Sequence, residues 1–273
     1  MVVSRGARLC LRLFTGVVLA GLYFPLLYVM RLSVATSRGF TWPPKGFTFE
    51  HWTGARSATG PRDALLHSLT IAGWATLAAL VLGSLAAAAL TRFKFFGRNT
   101  LNLMIVLPLA LPGIVTGIAL NSGFARLGVD LSRVTLVVAH TTFCIVIVFN
   151  NVGARMRQLS PNIDEASADL GADQLQTFWH VRLPLLASSL LAGGLLAFAL
   201  SFDEIIVTTF TAEGGYQTLP LWIFQNMFRD TSLPLVNVTA TFVVLAMVIP
   251  VYLAQRLSEG VAGASRADRA SGE

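Results

Sequence analysis

Residues 160–184 read Ser-Pro-Asn-Ile-Asp-Glu-Ala-Ser-Ala-Asp-Leu-Gly-Ala-Asp-Gln-Leu-Gln-Thr-Phe-Trp-His-Val-Arg-Leu-Pro, a polar interruption between two long apolar segments. The stretch predicts two short amphipathic helices. Ser160 is placed to cap the first, and Pro161 suits its first position, where a missing N–H leaves nothing unsatisfied. Ile163, Ala166, Ser167 and Leu170 then recur on one helical face. Asp164 and Glu165 fall in the opening turn, where the helix dipole favours negative charge. Gly171 is placed to end this helix in a left-handed conformation. Asp173 with Gln176 three residues on restarts a helix as a capping box, and Pro184 is expected to close it. A surface helix pinned at both ends between two apolar segments suits a lever that a partner can push.

The apolar segments on either side demand lipid. Of 273 residues, 54% are hydrophobic and only 12% charged, against about 25% charged in soluble domains. Runs of about 18–25 apolar residues are long enough to cross a bilayer. Six are expected, at roughly 13–30, 66–90, 100–120, 134–153, 186–210 and 236–255. The first follows Arg5, Arg8 and Arg12 and precedes Ser33-Val34-Ala35, a signal-peptide-like arrangement. Its length favours an uncleaved anchor. The fold class expected is therefore all-α, a six-helix membrane domain over 13–256. A cytoplasmic N-terminus (1–12) precedes it and a disordered cytoplasmic tail (257–273), rich in Gly, Ala, Ser and charge, follows.

The net charge of +6 does not point to nucleic acid, because the arginines cluster at the ends of the spans, where they set topology. With the N-terminus inside, twelve of the 20 Lys and Arg residues fall on the inner side. Five of the other eight lie in the long outer loop 31–65, and long loops obey the rule less strictly. The short loop 91–99, with Arg92, Lys94 and Arg98, is the better witness, and it puts the 154–185 loop in the cytoplasm. The outer loop carries Phe40, Trp42, Pro43, Pro44, Phe47, Phe49 and Trp52, which either bury at the lipid interface or form a platform for a soluble partner.

Two features interrupt the spans. Pro108 and Pro112-Gly113 release backbone groups that lipid cannot satisfy, so the third span kinks, either beside a transport path or for packing alone. Asp203-Glu204 lie towards the outer end of the fifth span, where a carboxylate is expensive unless it meets a cavity, water or a partner such as Arg229. An acidic lining that attracts a cationic solute is the functional reading.

Glu165-Ala166-Ser167, three residues, Gly171, nine residues, then Val181-Arg182-Leu183-Pro184 resembles the "EAA" loop of bacterial ABC-importer permeases, in which Glu-Ala-Ala and Gly precede Ile-x-Leu-Pro at the same intervals. Ser167 and Val181 stand where that pattern has Ala and Ile. His67-Ser68-Leu69-Thr70, Arg92-Phe93-Lys94-Phe95, Gly46-Phe47-Thr48-Phe49-Glu50-His51-Trp52, Leu200-Ser201-Phe202-Asp203-Glu204 and Thr218-Leu219-Pro220-Leu221 resemble the spermidine/putrescine-type subgroup. The resemblance covers about residues 10–256. It implies a type I importer permease of the bacterial inner membrane, with both termini cytoplasmic. It also implies a second, related permease chain, two ATPase subunits on the cytoplasmic side, coupling to the ATPase through Glu165, Ala166, Ser167, Gly171, Val181, Leu183 and Pro184 of this loop, and an external solute-binding protein. Asp203, Glu204, Pro108 and Pro112 are the expected path residues.

No catalytic, metal or cofactor site is expected. The chain has no Gly-x-x-x-x-Gly-Lys-Ser/Thr phosphate loop, no His-Glu-x-x-His and no Gly-x-Ser-x-Gly. His51, His67, His140 and His180 share no ligand spacing, and Cys10 and Cys144 stand alone, so packing roles are expected for all six. An ATP-independent channel or secondary transporter is the rival reading, with the two acids as ion sites; it has no use for a capped helix pair on the inner side.

Overall fold

The computed structural model describes residues 5–36, 46–160, 162–248 and 252, and among these the chain is helical, with one isolated bridge between Ala35 and Phe47. The helices are α1 (Arg5–Leu32), α2 (Glu50–Ser57), α3 (Thr59–Arg92), α4 (Arg98–Ala110), α5 (Gly113–Arg126), α6 (Arg133–Gln158) and α7 (Ile163–Asp169). They continue as α8 (Gln174–Thr177), a π turn (Phe178–Arg182), α9 (Leu183–Phe202), α10 (Ile206–Thr211), α11 (Leu219–Asn226) and α12 (Leu233–Val248). They divide into two compact units, one from residues 62–222 and one from the described parts of 1–61 and 223–273.

Among the described residues, four helical segments are long and apolar enough to cross a membrane: α1, α3, α6 and the continuous rod Gln174–Phe202. The expected count of six is met only in part. The third expected span is two helices, α4 and α5, bent by 110° at the Leu111-Pro112 break rather than kinked. The reason is local. Leu111, preceding a proline, takes an extended backbone (ψ 144), and Pro112 cannot continue the helical ladder. The fifth span starts earlier than expected and ends at Phe202, with Asp203–Ile205 outside any helix. For the sixth, α12 is a shorter apolar helix, and the rest of 236–255 lies mainly outside the described residues. The tail 257–273 and Phe40, Trp42, Pro43 and Pro44 also lie outside them.

In the 62–222 unit, α6 is the axis, with 61% of its apolar window buried. Ala139, Phe143, Cys144, Val148 and Val152 of α6 pack with Ala79, Ala87 and Leu90 of α3 and with Leu186 and Ala197 of α9. Small residues let these rods approach. A Cβ on Gly83 would sit 3.0 Å from the Ile145 carbonyl oxygen, and one on Gly193 would sit 3.4 Å from Val148 Cα. In the other unit, the apolar window of α1 is 0% buried, leaving its apolar surface uncovered there. There the Arg31 guanidinium stacks over the Phe47 ring at 3.7 Å, while Phe47 and Phe49 stay exposed.

Candidate functional site: the 159–185 elbow and the broken helices

Two regions hold the residues that the sequence singled out. In the first, α7 hangs between α6 and the Gln174–Phe202 rod. The N-terminus of α7 differs from expectation: Asn162 is the N-cap and makes no side-chain cap bond, while the Ser160 hydroxyl accepts a long bond (3.4 Å) from the Asn162 N–H. Pro161 lies outside the described residues. The C-terminus is closed by Gly171 at φ +83. The Gly171 N–H donates to Ala168 O (2.8 Å) and the Ala172 N–H to Ser167 O (3.1 Å), the paired bonds of a Schellman cap. The second piece opens with a reciprocal capping box, in which Asp173 Oδ1 accepts from the Gln176 N–H (2.8 Å) and Gln176 Oε1 accepts from the Asp173 N–H (2.9 Å).

Pro184 does not end this piece. The Leu183 N–H reaches back to Phe178 O, a π bond, and the widened turn over Phe178–Arg182 lets the helix run through the proline to Phe202. Val181 and Leu183 are half-buried and Pro184 is exposed. On α7 only Ser167 is buried, its hydroxyl bonded at 2.9 Å to that of Thr177, also buried. The residue that departs from the Ala of the common pattern thus staples α7 to α8. Glu165 and Ala166 are exposed, and Leu170 is 89% exposed. Trp179 and Leu175 are exposed as well, so this elbow presents apolar surface beside an acid.

A residue treated only as a first-turn charge organises the elbow. Asp164 Oδ1 accepts from Arg182 Nε at 2.7 Å, Oδ2 lies 2.5 Å from Arg182 Nη2, and Oδ2 also takes Arg92 Nη2. Partial burial pushes the Asp164 carboxyl up, but the Arg182 hydrogen bond and charge, followed by those of Arg92, outweigh it and hold the group below its ordinary range.

The second region joins the two interruptions of the spans. α5, which starts after Pro112, packs on α10, which starts after the Asp203–Ile205 break. A Cβ on Gly117 would meet Phe210 Cδ2 at 2.9 Å, and Asn121 Nδ2 donates to Phe210 O at 2.6 Å. A Cβ on Gly113 would sit 3.5 Å from Ile206 Cβ, so the starts of α5 and α10 lie side by side, and Pro108 lies one turn upstream inside α4. The two acids have different surroundings. Asp203 is exposed at the C-cap of α9, whereas Glu204 is half-buried and its Oε1 accepts from the Val207 N–H (2.8 Å), capping α10.

His140 pins this break from α6. It is 0% exposed, with Nδ1 2.8 Å from Ser201 Oγ and Nε2 2.9 Å from Thr208 Oγ1. The Thr208 hydroxyl also lies within donating distance of Glu204 O (2.9 Å). One ring bridges the last turn of α9 and the first of α10. The packing expected of the histidines holds here but understates the residue. An ionisable side chain in mid-span was the available signal. His67 stacks on Tyr216 (3.9 Å) and pairs with Gln217 O (3.0 Å). Cys144 is buried, Cys10 exposed, and both are free.

Comparison with known proteins places these features in a family context. The family model "Binding-protein-dependent transport system inner membrane component" matches residues 79–259. The chain is 37% identical over 194 residues to the putrescine transport system permease protein PotI of Escherichia coli (strain K12), covering 68% of this chain and 69% of that one. It is 31% identical over 246 residues to the spermidine/putrescine transport system permease protein PotC of Haemophilus influenzae, 90% of this chain and 95% of the relative. Among solved structures, a bacterial ABC transporter involved in the import of the acidic polysaccharide alginate has a chain that superposes with a TM-score of 0.73 at 16% identity, covering 94% of this chain and 99% of that one.

Proposed function

The chain belongs to the family of binding-protein-dependent transport system inner membrane components, the multi-pass permeases of ABC importers, and from that premise we propose that it forms part of the path for a polyamine of the putrescine or spermidine class. The observation that carries the cargo class is the likeness over 90% of the chain to a spermidine/putrescine permease, together with an exposed Asp203 at a helix break. A diamine or triamine is cationic along its length, and an open carboxylate at a gap in the helical ladder is chemistry that attracts it. Glu204 contributes by shaping the break, since its side chain already caps α10. Pro112 stops α4 and turns the chain into α5 beside the same break, with Pro108 inside the last turn of α4.

The elbow is the proposed input. Glu165, Ala166, Ser167, Gly171, Val181, Leu183 and Pro184 form the surface and the frame on which a separate ATPase subunit docks. Two such subunits, a second related permease and an external binding protein complete the transporter, with both termini of this chain cytoplasmic. ATP-driven closure of the ATPase pair would move α7 and tilt the attached rods, a two-state change in which side the path opens to. Support comes from the exposed Glu165 and Leu170 on a helix closed at its C-terminus by paired backbone bonds. The test is uptake of labelled putrescine and spermidine into vesicles holding the assembled transporter with its binding protein. ATP-dependent polyamine uptake that falls in D203N supports the proposal. Uptake of only neutral or anionic solutes refutes the cargo class.

A further inference from the structure

Three elements that are remote in sequence meet at one carboxylate. Arg92 is the last residue of α3, Asp164 lies in the first turn of α7, and Arg182 ends the π turn. Arg182 takes both oxygens of Asp164 through Nε and Nη2, and Arg92 adds a second cation on Oδ2. A single exposed ion pair contributes little to stability. A fork bonded to both oxygens fixes orientation as well as distance. The side chains are 26–42% exposed, so the group sits at the exposed ends of its helices rather than in the packed core.

Chain continuity, the Ser167–Thr177 hydroxyl bond and the Arg182 fork tie α7 to α6 and to the Gln174–Phe202 rod. Nothing covalent ties it to α3. From this geometry we infer that Asp164 is a positioning residue for coupling: it clasps the end of α3 to the elbow through Arg92, so that α3, α7 and the rod move as one unit. The inference rests on the reading of α7 as the ATPase-facing lever. Asp164 contacts neither solute nor nucleotide; it acts through the two arginines. Removing its charge also leaves Arg92 and Arg182 facing each other, like charges whose repulsion reinforces the loss.

The test uses the complete transporter in vesicles and reads ATP hydrolysed per polyamine imported. A merely structural defect lowers both rates together and leaves this ratio unchanged. D164N and R92Q are expected to raise the ratio roughly two- to tenfold, the size of a lost charge-assisted contact. The R92Q/D164N double variant is expected to be no worse than D164N alone, because both remove one linkage. R92K, which keeps a point charge for a single contact, is expected to restore most of the coupling, whereas R182K, which loses the fork, is not. E165K and G171V run alongside. If they raise the ratio and D164N and R92Q do not, the clasp is refuted and the lever stands. If none raises it, the lever itself fails and the clasp with it. Should D164N fail to insert, R92Q decides alone, since it leaves the Asp164–Arg182 fork in place.

Discussion

Gly171 offers a graded perturbation whose size can be worked out beforehand. It sits at φ +83, closes α7 through two backbone bonds, and has nothing within 4 Å of an added Cβ. A substitution there meets no neighbour, so its penalty is conformational. Alanine in the left-handed region costs about 1 kcal/mol, and a β-branched valine about 2 kcal/mol, while asparagine visits that region readily. Those figures correspond to about fivefold and thirtyfold shifts in the population of the closed cap. The expected order of coupling, read as ATP hydrolysed per solute moved, is Gly, then Asn, Ala and Val. Hydrogen exchange across residues 163–172 should follow the same order. Gly97 is the control: it has φ +86 and equally open space, but it starts α4, so Gly97→Val should carry a similar strain without loss of coupling. Equal coupling for Gly171→Val and Gly171→Asn would refute the claim that the cap geometry of α7 transmits the stroke.

Further outcomes follow from other contacts. Glu204→Gln should retain uptake because an amide oxygen can still accept from the Val207 N–H, whereas Glu204→Leu should lose it; equal uptake in the two would contradict the capping role. His140→Ala leaves the Ser201 hydroxyl without its partner and opens a gap in the packed interior, and should lower the thermal midpoint in detergent by the equivalent of about 2–5 kcal/mol, with Ser201→Ala adding little to it. Gly117→Ala drives a methyl group into Phe210 and should cost about 1–3 kcal/mol, visible in the same melt. Asp164 has a carboxyl held low, so its contribution is complete above the ordinary carboxylate pKa and disappears only as pH falls through the lowered folded value. Coupling should therefore be insensitive to Asp164 protonation throughout the neutral range, and a loss between pH 8 and 6 that D164N abolishes would contradict this.

What the sequence makes legible is mostly local. The Gly171 turn and the Asp173–Gln176 box are set by residues within five positions of one another, and both form as their spacing dictates. The apolar runs announce helices because lipid leaves the backbone no other partner. Readings fail where a neighbour changes the outcome. Pro184 looks like a stop, but the π bond from Leu183 to Phe178 accommodates it. Pro112 signals an interruption, yet its 110° angle depends on how α5 seats against α10, which no local pattern encodes. The break at Asp203 carries no proline or glycine, and Ser201 and Thr208 are bridged by a histidine more than 60 positions upstream. The Asp164 clasp joins residues 72 positions apart, and its arginines read as ordinary topology charges until the helices are assembled.

The central claim is that the 163–171 helix is where an ATPase subunit pushes. Its most direct test is a photocrosslinking side chain replacing Leu170, the residue 89% exposed at the end of α7, in the assembled transporter. The account predicts a crosslink to the ATPase subunit whose yield changes between the ATP-bound and nucleotide-free states. A crosslink only to lipid or to the partner permease, unchanged by nucleotide, would contradict it.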